Sequence, residues 1–150
     1  MPIGFRTRFR VAAILLLAVL AGCAPEDEAP VPTAEDEGET LARTAFNERI
    51  ENFFEYTALE AGVPSAFLIH LTDLTDGTPV AGAEVHLSVL EAGSETEVSS
   101  ATAQIGRVTG IYVAEVLVPA SGTYDIGFRV RNDRMDEQMR LEGFEVEAPR

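Results

Sequence analysis

The chain has 150 residues and a formal net charge of −14 at pH 7, from 25 acidic and 11 basic residues. This excess of acid argues against nucleic acid as a partner, because such binding depends on neutralising phosphates with Lys and Arg. The chain has one cysteine and so cannot form an internal disulfide, which means that a folded part must be stabilised by packing alone.

The first 22 residues have the three-part layout of a secretion signal. Arginines at positions 6, 8 and 10 precede an apolar run over residues 11–20, and small residues follow it. That run is shorter than the about 20 residues that are needed to cross a bilayer. Leu20-Ala21-Gly22-Cys23 resembles the lipobox of bacterial lipoproteins, in which the cysteine is acylated and becomes the mature N-terminus.

This resemblance implies a signal peptide over residues 1–22 and a lipid anchor at Cys23. Two or more acyl chains hold a protein durably on a membrane. In lipoproteins an aspartate after the cysteine favours retention in the inner membrane, so Ala24 implies the periplasmic face of the outer membrane. The alternative is an ordinary signal peptide in which the position of Cys23 is incidental.

Residues 23–40 are expected to form a flexible acidic linker behind the anchor. The stretch after the cysteine reads APEDEAPVPTAEDEGET, which is rich in proline and acid and almost free of large apolar residues. Such a composition cannot bury enough surface to fold, and like charges keep it extended. The segment therefore reads as a spacer between the membrane and the folded domain.

The next residues, 41–61, fit both a helical and an extended spacing of apolar side chains. We expect a strand over residues 50–57 with a loose or briefly helical lead-in. After Pro64, apolar and polar residues alternate clearly, and turn residues separate the runs. Seven strands are predicted in all: 50–57, 67–72, 84–89, 98–105, 111–118, 124–131 and 138–147.

Three of these strands carry further predictions about their place in a sheet. The turn residues between 67–72 and 84–89 indicate that these two strands form a hairpin. Residues 111–118 are apolar at nearly every position, which is typical of a strand central to a sandwich.

Individual residues mark two local features. The alternation changes phase at Gly143 in the last strand, which predicts a β-bulge. Asp73 and Asp76 flank a turn and are expected to stabilise it by hydrogen bonds from backbone N–H groups to their carboxylates.

Together the strands predict one all-β domain over residues 41–150. Short strands with turns at about every 8–12 residues are typical of an immunoglobulin-like β-sandwich of about seven strands. The Cys and Trp hallmarks of antibody domains are absent, so this prediction concerns the architecture alone.

Several motifs of this domain resemble a known family. Phe54-Glu55-Tyr56, residues 61–65, and residues 70–74 leading to Pro79-Val80 resemble the N-terminal periplasmic domain of heavy-metal adaptor subunits of RND-type efflux pumps. The runs PVAGAEV and SGTYDI are similar to YtkA-like immunoglobulin-like modules. The adaptors continue into lipoyl, helical-hairpin and barrel domains, and this chain ends at Arg150. The resemblance therefore implies a stand-alone relative that serves an efflux or other envelope assembly.

His70 and His86, the two histidines of the chain, suggest a metal site. If the predicted hairpin puts them opposite each other with Glu84 nearby, two imidazoles and a carboxylate would suit copper or zinc. A shift of register by one residue would separate them, and the alternative is that both are ordinary exposed histidines.

Met135 and Met139 suggest a second metal hypothesis. Thioether sulfur selects Cu(I), and the two side chains lie four residues apart. The alternative is that Met139 packs in the last strand and Met135 lies at a turn.

The folded part carries no known catalytic motif. It contains no thiol nucleophile, G-x-S-x-G, H-E-x-x-H, P-loop or Rossmann fingerprint, so we expect neither enzymatic activity nor a bound cofactor. The sequence favours a membrane-anchored periplasmic lipoprotein that works by binding an efflux-pump or envelope protein. The alternative function is a periplasmic protein that binds copper or zinc.

Overall fold

The structure is a computed structural model that describes residues 38–150. The predicted signal peptide, Cys23 and the linker up to residue 37 lie outside the described residues. Within this range there are eleven strands: β1 (Thr40–Phe46), β2 (Ile50–Thr57), β3 (Leu59–Glu60), β4 (Pro64–Asp73), β5 (Thr78–Pro79), β6 (Glu84–Glu91), β7 (Glu97–Thr102), β8 (Gln104–Ile105), β9 (Ile111–Leu117), β10 (Gly122–Asn132) and β11 (Met135–Glu147). A membrane-spanning helix is not found among residues 38–150.

The strands form two sheets. Sheet A has the order β1-β2-β4-β9-β8, with β5 on the end of β4, and sheet B has the order β3-β11-β10-β6-β7. Alternate residues of the long strands turn inward and meet between the sheets, as the period of two in the sequence requires. The predicted all-β, immunoglobulin-like sandwich is confirmed, with eight long strands and three of two residues each.

An aromatic cluster lies at the centre of the core. The ring of Phe54 in β2 lies 4.9 Å from that of Phe128 and 6.1 Å from that of Phe67, measured between ring centroids. Phe144 packs at 6.3 Å from the same ring. Because Phe67 belongs to sheet A and Phe128 and Phe144 to sheet B, Phe54 joins the two layers.

The prediction of a loose or briefly helical segment before residue 50 is wrong, because Thr40–Phe46 is a strand. β1 pairs antiparallel with β2 in an unbroken register from Thr40↔Thr57 to Phe46↔Glu51. Hydrogen bonding to a neighbouring strand outweighs the helical spacing of the apolar residues, which is a local signal only. Arg43 fixes this strand against sheet B by donating to the carbonyls of Glu142 and Gly143, each at 2.9 Å.

The predicted hairpin of strands 67–72 and 84–89 is also wrong. β4 pairs with β2, β5 and β9 in sheet A, whereas β6 pairs with β10 and β7 in sheet B. The chain crosses between the layers over residues 80–83, where buried Tyr112 of β9 holds it. The Tyr112 hydroxyl donates to the carbonyl of Val80 at 2.7 Å and accepts from the N–H of Ala83 at 3.0 Å.

The predicted strand 98–105 is divided between the two sheets. β7 ends at Thr102 in sheet B, and β8 begins at Gln104 in sheet A. Ala103 between them is buried and its N–H donates to the carbonyl of Val85 at 2.8 Å. Where the chain crosses from sheet B to sheet A, the N–H of Ala103 therefore keeps a hydrogen-bond partner, and β8 is only two residues long.

The bulge predicted at Gly143 is confirmed. Tyr124 pairs with Phe144 and Ile126 pairs with Leu141, so β11 has one extra residue in this interval. Gly143 has a φ of 76°, a left-handed conformation that glycine adopts without a steric penalty. The bulge returns Phe144 and Val146 to the core after the change of phase.

The predicted turn at Asp73 and Asp76 is confirmed as well. The N–H of Thr75 donates to Asp73 and that of Thr78 to Asp76, each at 3.0 Å. The hydroxyl of Thr78, followed by the guanidinium of Arg134, lowers the pKa of Asp76 from 3.8 to about 2. Both carboxylates therefore stay ionised across the neutral range.

Candidate functional site

The two histidines lie on opposite sides of the molecule. His70 is in β4 of sheet A and His86 is in β6 of sheet B, and both side chains point away from the core. Two packed sheets, spaced about 10 Å apart, therefore stand between the rings. The prediction that His70, His86 and Glu84 share a copper or zinc site is wrong, because it depended on a hairpin that does not form.

Each histidine instead has one nearby carboxylate. His70 Nε2 lies 3.8 Å from Glu55, and His86 Nε2 lies 3.9 Å from Glu97. Glu84 is hydrogen-bonded at 2.8 Å to Arg131. Among residues 38–150, no group of three His, Asp or Glu side chains is placed to hold a metal ion.

Met135 and Met139 share the inward face of β11. Met135 is buried in the core, and Met139 is partly buried against it. Four residues along a strand return to the same face, so both thioethers fill space between the sheets. The structure places both as packing residues, which agrees with the alternative given for them, and binding of Cu(I) stays a prediction.

Cys23 lies outside the described residues, and its acylation therefore stays a prediction.

The outer face of sheet B carries charged side chains that are paired with each other. Arg129 donates two hydrogen bonds to Asp136, at 3.0 and 2.8 Å, and both side chains are about half exposed. A cleft of about 540 Å³ lies on this face above Gly127, where β10 has no side chain. Arg129 and Arg140 line the cleft, and each is already held by a carboxylate.

A buried ion pair lies at one end of this cleft. The Asp125 side chain is only 3% exposed and accepts hydrogen bonds from Gly93 N–H at 3.1 Å and from Arg140 Nη2 at 2.7 Å. The Gly93 N–H, followed by Arg140, lowers the pKa of Asp125. Arg140 also donates to Glu95 and to the carbonyl of Ser94, both at 2.6 Å. The pair therefore fastens the turn between β6 and β7 to the sheet.

The outer face of sheet A has a different character. Its outward positions on β2, β4 and β9 carry mainly apolar side chains, and we call this surface the apolar face: Phe53, Ala66, Leu68, Ile111, Val113 and Leu117. The side chains of Val113 and Leu117 are 43% and 46% exposed. β9 lies between β4 and β8 in sheet A, but the burial expected of a central strand is wrong, because its outward side chains are exposed.

A groove of about 220 Å³ crosses the apolar face, and its lining is almost entirely apolar. Ala66 forms its low point, because the neighbouring side chains of Leu68 and Val113 are larger. Glu55 lies at one side of the groove. The charged groups at outward positions of β2 and β9 are Glu51, Glu55 and Glu115, all acidic. The face is therefore apolar with a negative border.

No family model matches the chain, and no curated protein matches it. Among solved structures, the chain is similar to the ZirS C-terminal domain, with 15% identity over 91% of this chain and 86% of that chain and a TM-score of 0.39. A likeness this distant carries no argument about what the protein does.

Proposed function

We propose that the protein is a non-catalytic binding module, held at a membrane by an acylated Cys23, that docks an envelope protein on its apolar face. The supporting observation is the contrast between the two outer faces. Sheet B presents ion pairs, whereas sheet A presents a contiguous set of apolar side chains that are partly or fully exposed. Exposed apolar patches on soluble domains mark interaction surfaces.

The border of the apolar face indicates the chemistry of the partner. Glu51, Glu55 and Glu115 lie among the apolar side chains, so a matching surface carries apolar groups flanked by Lys or Arg. A second copy of the chain is a poor match, because the same acids would then face each other. The proposed partner is therefore a different protein, of the efflux or envelope class that the sequence resemblance implies.

The proposed anchor and spacer would allow the apolar face to bind its partner stably even with modest affinity. A lipid at Cys23 confines the module to one membrane, and an acidic linker lets it reach about 50 Å from that membrane. Confinement raises the effective concentration of the module near any partner in the same envelope. Modest affinity on the apolar face then gives stable association.

Docking on the apolar face predicts a site-specific crosslink in living cells. A photoreactive phenylalanine analogue at position 113 of β9 should give a discrete adduct with another protein, and the same analogue at position 88 of β6 should give none. A Leu68→Glu substitution should reduce the adduct about tenfold, because a carboxylate in the groove opposes docking. Mass spectrometry of the crosslinked peptide should find apolar residues beside Lys or Arg.

The matched control is Ser88→Glu, which places the same charge on the outer face of sheet B and should leave the adduct unchanged. Equal adducts from positions 113 and 88, or an adduct that is indifferent to Leu68→Glu, would contradict docking on the apolar face.

The anchor is tested independently of the partner. Mass spectrometry of the protein extracted from membranes should find a mature N-terminus at Cys23 that carries a diacylglyceryl group and an N-acyl chain. An unmodified cysteine, or cleavage at another residue, would refute the anchor and leave the docking proposal to the crosslinking result.

A further inference from the structure

The edges of the two sheets differ in how well they are protected. An exposed edge strand can pair with another chain, and proteins oppose this with short strands, bulges and charges. Edge strands β3 and β8 have two residues each, β7 has a register shift beside Val89 and Leu90, and β11 has its bulge at Gly143. On its β8 side, β9 is unpaired beyond Val113, and Glu115 lies at an outward position of that open part. Among the edges in residues 38–150, β1 is the one that is open along all seven of its residues, regular and free of proline.

The hydrogen bonds of β1 reveal which of its backbone groups face outward. The N–H of Ala58 donates to the carbonyl of Glu39, and the N–H of Asn47 donates to that of Ile50. Hydrogen-bonded positions alternate along an antiparallel pair, so the odd-numbered residues of β1 face β2. The even-numbered residues, Thr40, Ala42, Thr44 and Phe46, therefore turn their N–H and C=O groups toward the open edge.

The side chains of the same residues extend the apolar face. Ala42, Thr44 and Phe46 lie opposite Glu55, Phe53 and Glu51 of β2 and so share their outward side. Phe46 is 71% exposed. The only charged residue of β1, Arg43, points inward, where its guanidinium lies 4.0 Å from the ring of Phe144. No charged side chain of β1 lies on its outward side, where it would oppose pairing with another strand.

The register also places Glu55 one strand away from the open edge. Ala42 lies between them and carries only a methyl group. A long basic side chain on an added strand could cross Ala42 and reach the Glu55 carboxylate. On the same strand, an apolar residue two or four positions farther along would contact Phe46.

We propose that β1 accepts an extended strand of the partner protein, which lengthens sheet A and carries Lys or Arg beside Ala42 and an apolar residue beside Phe46. This inference rests on the proposed function and specifies how the partner engages the apolar face. Backbone hydrogen bonds supply affinity in such strand addition, and the alternate side chains supply specificity. A second copy of β1 does not fit, because its outward residues are Thr40, Ala42, Thr44 and Phe46, which leave Glu55 without a cation.

The test uses the purified full chain and a displayed library of random twelve-residue peptides. Selected peptides should carry a basic residue and an apolar residue two or four positions apart, so that both lie on the outward face, and should contain no proline within the binding core. Thr44→Pro removes an outward N–H without removing a bond to β2, so it should weaken binding of the best synthetic peptide about tenfold or more. Thr44→Val retains the N–H and should bind as the wild type does.

A second variant does not depend on proline being tolerated in β1. Glu55→Arg reverses the charge behind Ala42 and should shift the selected peptides from basic to acidic residues. Circular dichroism of each variant establishes that it is folded before its binding is compared.

The outcomes separate this inference from the proposed function. Peptides that bind Thr44→Pro as tightly as wild type but lose binding in Leu68→Glu would overturn strand addition and leave docking on the apolar face intact. Strand addition would be overturned if the selected peptides bound Thr44→Pro, Glu55→Arg and Leu68→Glu as tightly as they bind the wild type. It would also be overturned if no peptide were selected. A wild-type dimer that Thr44→Pro dissociates in sedimentation analysis would overturn the assignment of this edge to a different protein.

Discussion

Replacing Arg140 by methionine is expected to lower the Tm of the domain by about 10–15 °C at pH 7, because it leaves the buried Asp125 carboxylate without its cation. The Asp125 side chain is 3% exposed, whereas that of Arg140 is 28% exposed, so water screens only the arginine side of the pair. Removing one partner of a buried ion pair is costly because the remaining charge has lost its hydration as well. Thermal unfolding followed by circular dichroism measures the loss.

Arg129→Met is the matched control. Arg129 also donates two hydrogen bonds to a carboxylate, that of Asp136, but both side chains of this pair are 48% exposed. Exposed ion pairs contribute little, so this variant should lose less than about 4 °C. A similar loss in both variants would contradict the view that burial of Asp125 makes the difference.

The pH dependence of Arg140→Met follows from the same burial. In the wild type the folded-state pKa of Asp125 is lowered, so its stabilisation is present above the unfolded-state pKa and is lost as pH falls through the folded one. Without Arg140, Asp125 keeps the hydrogen bond from the Gly93 N–H but loses the guanidinium, so its folded-state pKa lies above that of the wild type. The difference in Tm should therefore be full at pH 7 and should shrink as the pH falls into the range in which Asp125 is protonated. Adding Asp125→Asn to the variant should restore part of the Tm at pH 7.

Tyr112→Phe is expected to reduce the free energy of unfolding by about 2–4 kcal/mol, although it removes a single oxygen atom. The hydroxyl is buried, donates to the carbonyl of Val80 and accepts from the N–H of Ala83. Both backbone groups lose their partner where the chain crosses from sheet A to sheet B. Urea denaturation of the wild type and the variant gives the difference.

Tyr124→Phe serves as the control for the loss of a hydroxyl. The Tyr124 hydroxyl donates at 3.0 Å to the carbonyl of Ala120, which lies in an exposed turn. Water can replace that bond, so the loss should stay within about 1 kcal/mol. If Tyr112→Phe were no worse than Tyr124→Phe, the hydroxyl of Tyr112 would have no special part in holding the crossing.

Part of the candidate site was predictable and part was not. The outward side chains of β9 are visible in the sequence as an apolar run, but such a run reads equally well as a strand buried on both faces. Val113 and Leu117 are exposed because no further layer of the described residues covers the outer face of sheet A, and Val113 is exposed although it pairs with Gln104 of β8. The apolar run therefore predicted a strand correctly, but the burial of both of its faces that it suggested is wrong.

The hypothesis of one metal site at the two histidines failed for a related reason. Alternation along each strand placed His70 and His86 on outward positions, which is correct. Nothing local to either strand indicates which sheet it joins, since a connection of the same length can close a hairpin or cross the sandwich. The crossing depends on contacts from Tyr112, which is distant in the chain.

By itself, the sequence determined the all-β class, the inward faces of the strands with clear alternation, the bulge at Gly143 and the turn at Asp73 and Asp76. These features follow from side-chain periodicity and from backbone preferences that act within a few residues. Only the tertiary structure decided that Thr40–Phe46 is a strand, that β4 and β6 belong to different sheets, and that the outer face of sheet A is exposed. Each of these depends on pairing between segments far apart in the chain, whose hydrogen bonds and packing leave no periodic mark on the residues themselves.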